Sequence, residues 1–138
     1  MQINGAVWID GQQSDFSALG FQCLERIQEL RDALWNTLRG ALPDIQLNGP
    51  LSPRLPGNLN MSFPRIEGQH LLADLRDHVS VSMGSACTSA KDSPSHVLSA
   101  LGVSPELIHS SLRFGLGRFT TADEVAYAAG RVITAARR

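Results

Sequence analysis

The stretch at residues 81–89 reads Val-Ser-Met-Gly-Ser-Ala-Cys-Thr-Ser, and the rest of the chain is interpreted outward from it. Residues 78–82, which lead into it, alternate polar and apolar side chains, a pattern typical of a short strand. The strand runs into small residues that include Gly84 and Cys87. Glycine and small side chains leave the backbone many accessible conformations. The composition therefore predicts a loop that can carry a thiol over some distance.

Composition alone leaves two interpretations of Cys87 open. Free cysteines are most often small, buried hydrophobic residues. Here, however, the neighbours are Ser, Thr and Gly, and the charged run Lys-Asp-Ser-Pro follows at residues 91–94. That composition favours an exposed loop, in which a thiol is accessible and can react.

Three segments, in order along the chain, carry a more specific pattern. They read Ser-Met-Gly-Ser-Ala-Cys-Thr-Ser (82–89), Ser-Pro-Ser-His-Val-Leu-Ser-Ala-Leu-Gly (93–102) and His-Ser-Ser-Leu-Arg-Phe-Gly-Leu-Gly-Arg-Phe-Thr-Thr (109–121). Together they resemble the C-terminal small domain of group I cysteine desulfurases, in the class V aminotransferase family. Those pyridoxal-phosphate enzymes take sulfur from free cysteine for iron–sulfur cluster and thiolated-cofactor synthesis. The resemblance extends from about residue 18 to residue 138, with Met83 where the family usually has a smaller side chain.

The resemblance implies roles for two residues. The counterpart of Cys87 attacks the sulfur of cofactor-bound cysteine, becomes a persulfide and passes that sulfur to an acceptor protein. The counterpart of Arg113 binds the substrate carboxylate, and a planar guanidinium suits this because its donors reach both oxygens. Without the resemblance, a structural ion pair on a strand is the simpler interpretation of Arg113.

The resemblance also implies which residues the family uses for its cofactor. A lysine, a ring-stacking histidine and an aspartate belong to a large domain that precedes the matching region. Lys91 is the only lysine in this chain. A Schiff-base lysine needs a desolvated, preorganised pocket, which a solvated loop does not supply. We therefore interpret Lys91 as a surface charge and expect this chain alone to bind no pyridoxal phosphate.

Composition and charge exclude several classes of function. With 138 residues and a net charge of −1, the chain is one domain without an electrostatic reason to bind nucleic acid or an anionic membrane. It has neither a long apolar run nor a signal-peptide pattern. Two cysteines do not make a disulfide framework, so we expect a reducing cytoplasm. Four scattered histidines show no zinc-site spacing, so no metal is expected: His70, His78, His96 and His109.

The hydrophobic pattern predicts an α+β fold. Residues 15–42 form a long helix whose apolar stripe is Leu19, Cys23, Ile27, Leu30, Leu34 and Leu38, so Cys23 is expected to pack rather than react. Strands are predicted at residues 44–48, 58–63, 78–82 and 112–116. Helices are predicted at 68–77, 94–101, 104–107 and, after a capping box of Thr121 and Glu124, up to 136. About four strands would form a small, largely antiparallel sheet, with helices mostly on one face, as in fold-type I pyridoxal-phosphate enzymes.

Residues 1–14 fall outside the resemblance, so we expect a leader at 1–14 and the desulfurase-like domain at 15–138. The leader contains a candidate strand at residues 6–9 and a turn signal at Asp10-Gly11. It either covers surface left bare by a missing large domain or is poorly ordered, and the sequence leaves both open.

Two functions remain from the sequence. One is a sulfur-handling desulfurase domain that is catalytic only when a large domain or a persulfide donor is supplied, with a sulfur-acceptor protein as a further partner. The other is a non-enzymatic binding or oligomerisation module that works through its surface, for example as a homodimer. The presence of Cys87 and Arg113 favours the first, and the absence of cofactor-binding residues favours the second.

Overall fold

The computed structural model describes the backbone at residues 6–9, 12–83 and 95–138, and the side chains at 20–83 and 95–138. Two residues singled out from the sequence, Cys87 and Lys91, lie outside the described residues.

Within those ranges, five helices and six strands follow one another along the chain. They are β1 (Ala6–Ile9), β2 (Gln12–Asp15), α1 (Phe16–Ala41), β3 (Gln46–Leu47), β4 (Asn58–Ser62), α2 (Gly68–Leu75), β5 (Val81–Ser82), α3 (His96–Ala100), α4 (Pro105–His109), β6 (Ser111–Gly115) and α5 (Ala122–Ala136). Strands β1 and β2 form a hairpin of their own, and the other four form one antiparallel sheet in the order β3-β4-β6-β5. The predicted α+β class and antiparallel sheet are confirmed.

One face of the sheet forms the hydrophobic core. Leu59 pairs with Phe114 and Met61 pairs with Leu112, so the apolar positions of β4 and β6 project to the same side. All four are almost completely buried. Helices α1, α2 and α5 cover them with further buried side chains: Leu34, Leu38, Leu71, Leu75, Val125, Ala129 and Val132. The helices therefore lie mostly on one face, as predicted.

The opposite face of the sheet is polar. Asn58, Asn60 and Ser62 alternate with the core residues of β4, and Arg113 alternates with those of β6. Asn60 lies directly opposite Arg113. The short helix α3 flanks this face, where Leu98 and Leu101 approach the segment that follows β3. Helix α3 is thus the part of the fold that closes one side of the polar surface.

Helix α1 packs along only part of its predicted stripe. Of the stripe residues, Ile27, Leu34 and Leu38 are buried, and Leu30 and Cys23 are partly buried. Cys23 is thus covered less completely than the three buried residues that follow it on the stripe, and its packing in preference to reaction stays a prediction. Arg26 attaches α1 to the segment after β6. Its guanidinium donates to the carbonyl oxygen of Thr120 at 2.8 Å and also to the carbonyl oxygen of Arg118.

The capping box that begins α5 is confirmed. The Glu124 N–H donates to Thr121 Oγ1 at 3.2 Å, and the Thr121 N–H donates to Glu124 Oε2 at 2.8 Å. None of the helices in the described ranges is long and apolar enough to cross a membrane.

Candidate functional site

Arg113 lies at the centre of the polar sheet face. Strand alternation places its side chain opposite the buried Leu112 and Phe114, and it is exposed. Its neighbours across the sheet are Asn60 on β4 and Ser82 on β5. The sheet therefore holds the backbone of Arg113 from both sides.

The guanidinium of Arg113 pairs with no carboxylate of the described residues. The ion pairs in that part of the chain involve other cations, namely Arg31, Arg65, His70 and Arg138. An arginine on a strand that serves a structural ion pair would have a partner within about 4 Å. Residues 20–83 and 95–138 provide none, so the structural interpretation of Arg113 finds no support among them.

A cleft of about 290 Å³ opens over this face. The floor is formed by polar strand positions that include Asn58, Asn60 and Arg113. One wall is the segment at residues 48–55, and the other is α3 with the residue before it. Two of the lining residues, Arg54 and Arg113, carry a positive charge, and none of the described lining residues carries a negative one. The cleft is therefore electrostatically suited to a small anion.

A buried hydrogen-bond network lies against the floor of the cleft. Asn48 Nδ2 donates to Asn60 Oδ1 at 2.7 Å and to Ser111 Oγ at 3.1 Å. Ser62 Oγ donates to Asn48 Oδ1 at 3.0 Å, and Ser111 Oγ donates to the Leu107 carbonyl at 2.6 Å. Asn48, Ser62 and Ser111 are 5%, 0% and 0% exposed, so their hydrogen bonds are shielded from water.

Arg54 stabilises the wall of the cleft that contains Asn48. Its Nε donates to the Pro50 carbonyl at 2.9 Å, and its Nη2 donates to the Asn48 carbonyl. Burial lowers the pKa of Arg54, and the positive charge of Arg31 lowers that pKa further. An arginine side chain nevertheless stays protonated in proteins, so Arg54 remains a charged donor. Its donors to backbone carbonyls make it a residue that shapes the cleft.

Two residues that flank the segment at 84–94 lie on the strand or at the cleft beside Arg113. Ser82, two residues before that segment, is the β-sheet partner of Arg113, and Ser95, directly after it, lines the cleft. Cys87 itself belongs to the undescribed segment. The structure thus describes the position of Arg113 and leaves that of Cys87 undescribed.

Pyridoxal phosphate needs a lysine amine for its Schiff base, and the chain's one lysine, Lys91, lies outside the described residues. The His, Cys, Asp and Glu side chains of the described ranges include no group of three or more placed to hold a metal ion.

Sequence reasoning singled out Arg113 but missed the polar residues around it. Asn58 and Asn60 alternate with Leu59 and Met61, and this alternation was available from the sequence. The alternation indicated that this strand has a polar face, but it did not indicate which residues the polar side chains contact. Asn48 and Arg54 had no comparable signal, because their partners are set by the tertiary structure.

Comparison with known proteins identifies the family to which the chain is related. The chain is 48% identical over 113 residues to cysteine desulfurase IscS of Ehrlichia chaffeensis, and 52% identical over 108 residues to that of Ectopseudomonas mendocina. These alignments cover 82% and 78% of this chain. The chain corresponds to the C-terminal domain of the cysteine desulfurase family. It spans 27% and 26% of the lengths of those two relatives.

Solved structures agree with this desulfurase-like assignment. A NifS-like protein superimposes with a TM-score of 0.69 at 26% identity, covering 83% of this chain and 28% of that one. A NifS-like protein from Rickettsia africae also gives a TM-score of 0.69, at 23% identity, and shows the shared fold. No protein-family model matches the chain. The desulfurase-like domain is therefore defined by its relatives and its fold.

Proposed function

We propose that this desulfurase-like domain carries sulfur as a persulfide on Cys87 and that Arg113 binds the carboxylate of the sulfur-donating molecule. The observation that supports this best is the setting of Arg113. It is exposed in a cleft, and within the described ranges it has neither a negatively charged neighbour in the cleft lining nor a carboxylate partner. A guanidinium in that setting is available to a ligand carboxylate.

Chain connectivity supports a role for Cys87 at the same cleft. Cys87 follows Met83, which comes directly after β5, by four positions. Four residues reach at most about 14 Å when fully extended. The Cys87 thiol is therefore tethered to β5, the strand that pairs with β6 beside Arg113. This short tether is proposed to let the thiol reach a donor that Arg113 holds.

The proposed transfer needs no oxidant or reductant. The Cys87 thiolate attacks the outer sulfur of a donor persulfide, R–S–SH. A new sulfur–sulfur bond forms at Cys87, the donor's sulfur–sulfur bond breaks, and R–S⁻ leaves with the electron pair of that bond. The proton of the donor's outer sulfur stays with the transferred sulfur. An acceptor thiolate removes this sulfur from Cys87 by the same exchange.

Catalysis on free cysteine is proposed to require a large domain with its own cofactor-binding residues. Because Lys91, the chain's one lysine, is interpreted as a surface charge and not as a Schiff-base residue, the domain alone is proposed to receive sulfur already in persulfide form. A reducing cytoplasm suits this role, because glutathione and thioredoxin keep an accessible thiol reduced there. A leader at residues 1–14 and a domain at 15–138 remain the proposed organisation, supported by the separate β1–β2 sheet.

A binding or oligomerisation module is the second candidate. It is favoured by apolar side chains left on the surface, of which Phe21 and Phe119 are 67% and 80% exposed. Such a module would conserve the fold and would not need the Cys87 thiol.

Persulfide transfer to Cys87 is the first testable prediction. The experiment uses a Cys23→Ser background, because Cys23 is partly exposed and would itself be labelled. We expect incubation with cysteine persulfide to add one sulfur atom to the peptide that contains Cys87, as measured by mass spectrometry. Cys87→Ser should abolish this addition while the circular dichroism spectrum stays unchanged.

Arg113 is tested with two donors that differ only in a carboxylate. Loss of a hydrogen bond to a charged group corresponds to about a tenfold change. Arg113→Ala should therefore slow transfer from cysteine persulfide about tenfold and leave transfer from cysteamine persulfide unchanged. Absence of sulfur on Cys87 would refute the persulfide role, and equal slowing with both donors would refute carboxylate binding by Arg113.

A further inference from the structure

The amide of Asn60 is the feature of the cleft that the proposed function does not use. Its Oδ1 accepts from Asn48, and its Nδ2 donates to no described residue. This nitrogen is also not sealed from solvent, because Arg131 Nε is the one buried side-chain nitrogen or oxygen without a partner in the described part of the chain. Asn60 lines the cleft, so its free N–H groups are available there.

We propose that Asn60 is a second carboxylate-binding residue and that the cleft recognises its ligand through Arg113 and Asn60 together. This inference rests on the proposed function of Arg113. The two residues are directly opposite each other in the antiparallel pair of β4 and β6. Side chains of such a pair start about 5 Å apart and project to the same face. One carboxylate oxygen can thus receive the guanidinium while the other receives the amide.

The buried network sets the orientation of Asn60. Asn48 uses one N–H on Asn60 Oδ1 and the other on Ser111, while its own Oδ1 accepts from Ser62. Rotating the Asn60 amide by half a turn would point its N–H groups at the Asn48 amide and leave an Asn48 donor unpaired. An unpaired buried donor is unfavourable. Asn48 is therefore a positioning residue, and Asn60 is the residue that touches the ligand.

The shape and charge of the cleft define the ligand class. A volume of about 290 Å³ is at the lower end of the range for small-molecule sites. Val97, Leu98 and Leu101 add an apolar wall beside the charged floor. A small carboxylate with a short apolar or sulfur-containing side chain fits both properties, and the cleft is accordingly assigned to this class of ligand.

The test measures ligand binding without sulfur transfer. The full chain carries Cys87→Ser and is titrated with S-methylcysteine, which bears the carboxylate but has no reactive sulfur, and with S-methylcysteamine, which lacks the carboxylate. Binding is followed through the Arg113 Nε–H resonance in nitrogen-15 NMR spectra. We expect S-methylcysteine alone to shift this resonance.

Variants separate the role of Asn60 from that of Arg113. Asn60→Ala should weaken S-methylcysteine binding about tenfold, the effect of losing a hydrogen bond to a charged group. Asn60→Asp, which keeps the shape, should abolish binding because its carboxylate occupies Arg113. Gln46→Ala is the matched control, since Gln46 lies on the neighbouring strand β3, is exposed and does not line the cleft. It should leave the affinity unchanged.

Each alternative outcome has a definite meaning. If Arg113→Ala abolishes binding, measured through backbone amide shifts, while both Asn60 variants bind normally, the role of Asn60 is refuted and that of Arg113 stands. If Arg113→Ala binds normally, the proposed role of Arg113 is refuted. Equal weakening by Gln46→Ala and Asn60→Ala would show a purely structural effect and would overturn the inference. Persulfide transfer to Cys87 is measured separately and does not depend on any of these results.

Discussion

Gly57 is the residue at which one added methyl group would disturb the sheet most directly. A Cβ atom there would overlap the Leu116 carbonyl oxygen and would lie 3.3 Å from Ile27 Cγ2. The same close approach lets the Leu116 N–H donate to the Gly57 carbonyl at 2.8 Å. Gly57 is therefore needed where the chain enters β4 beside the end of β6.

Substitution of Gly57 by alanine is expected to destabilise the domain. Forced overpacking costs about 1–3 kcal/mol of unfolding free energy. Urea unfolding of Gly57→Ala should show a lower midpoint than wild type. Gly117→Ala is the control, because no atom lies within 4 Å of a Cβ built at Gly117. Similar midpoints for the two variants would contradict the close approach at Gly57.

At the level of elements, the N-terminus of α5 depends on the capping box of Thr121 and Glu124. The hydroxyl of Thr121 accepts from a backbone N–H that has no partner within the helix. Loss of such a cap costs about 1 kcal/mol. Helix α5 supplies Val125, Ala129 and Val132 to the core, so weakening its first turn affects the whole domain.

Thr121→Ala should therefore lower the free energy of unfolding by about 1 kcal/mol. Thr134→Ala serves as the control on the same helix, since the Thr134 hydroxyl donates only to the Gly130 carbonyl within the helix, at 2.9 Å. That variant should be neutral or slightly stabilising, because alanine is the better helix former. If chemical denaturation showed equal losses of unfolding free energy for Thr121→Ala and Thr134→Ala, the cap would contribute nothing specific.

At the level of the whole molecule, one surface patch is apolar. Phe21 and Leu24 on α1 are 67% and 47% exposed, and Phe119 is 80% exposed. Arg26 joins α1 to the backbone at Arg118 and Thr120, so Phe119 belongs to a segment that is attached to the helix carrying Phe21 and Leu24. Contiguous apolar patches on a protein surface commonly mark interaction sites.

We predict that the chain self-associates through this patch, with a twofold dimer as the expected form. Sedimentation velocity should show a concentration-dependent dimer that the double variant Phe21→Glu, Leu24→Glu converts to monomer. Leu51→Glu is the control, because Leu51 is similarly exposed, at 43%, but lies after β3. A wild-type monomer at all concentrations would refute self-association and would favour the alternative that residues 1–14 cover the patch.

Most of the elements followed from local sequence patterns. The 26-residue helix α1, the capping box and the alternation of Leu59 and Met61 with asparagines all depend on residues close together in the chain. Strand lengths were less predictable. β3 and β5 each have two residues, fewer than the five predicted for each, because a strand extends only as far as its partner offers backbone groups.

The sequence by itself determined the family resemblance, the α+β class and the choice of Arg113. The tertiary structure decided that Arg113 has no ion-pair partner among the described residues, that Ile27, Leu34 and Leu38 are the buried part of the α1 stripe, and that Asn60 faces the cleft. The physical reason is separation along the chain. Asn48 bonds to residues 12 and 63 positions away, and such contacts exist only after the strands have paired. Periodicity identifies the face on which a side chain lies, but its partners depend on which strands and helices pack beside it.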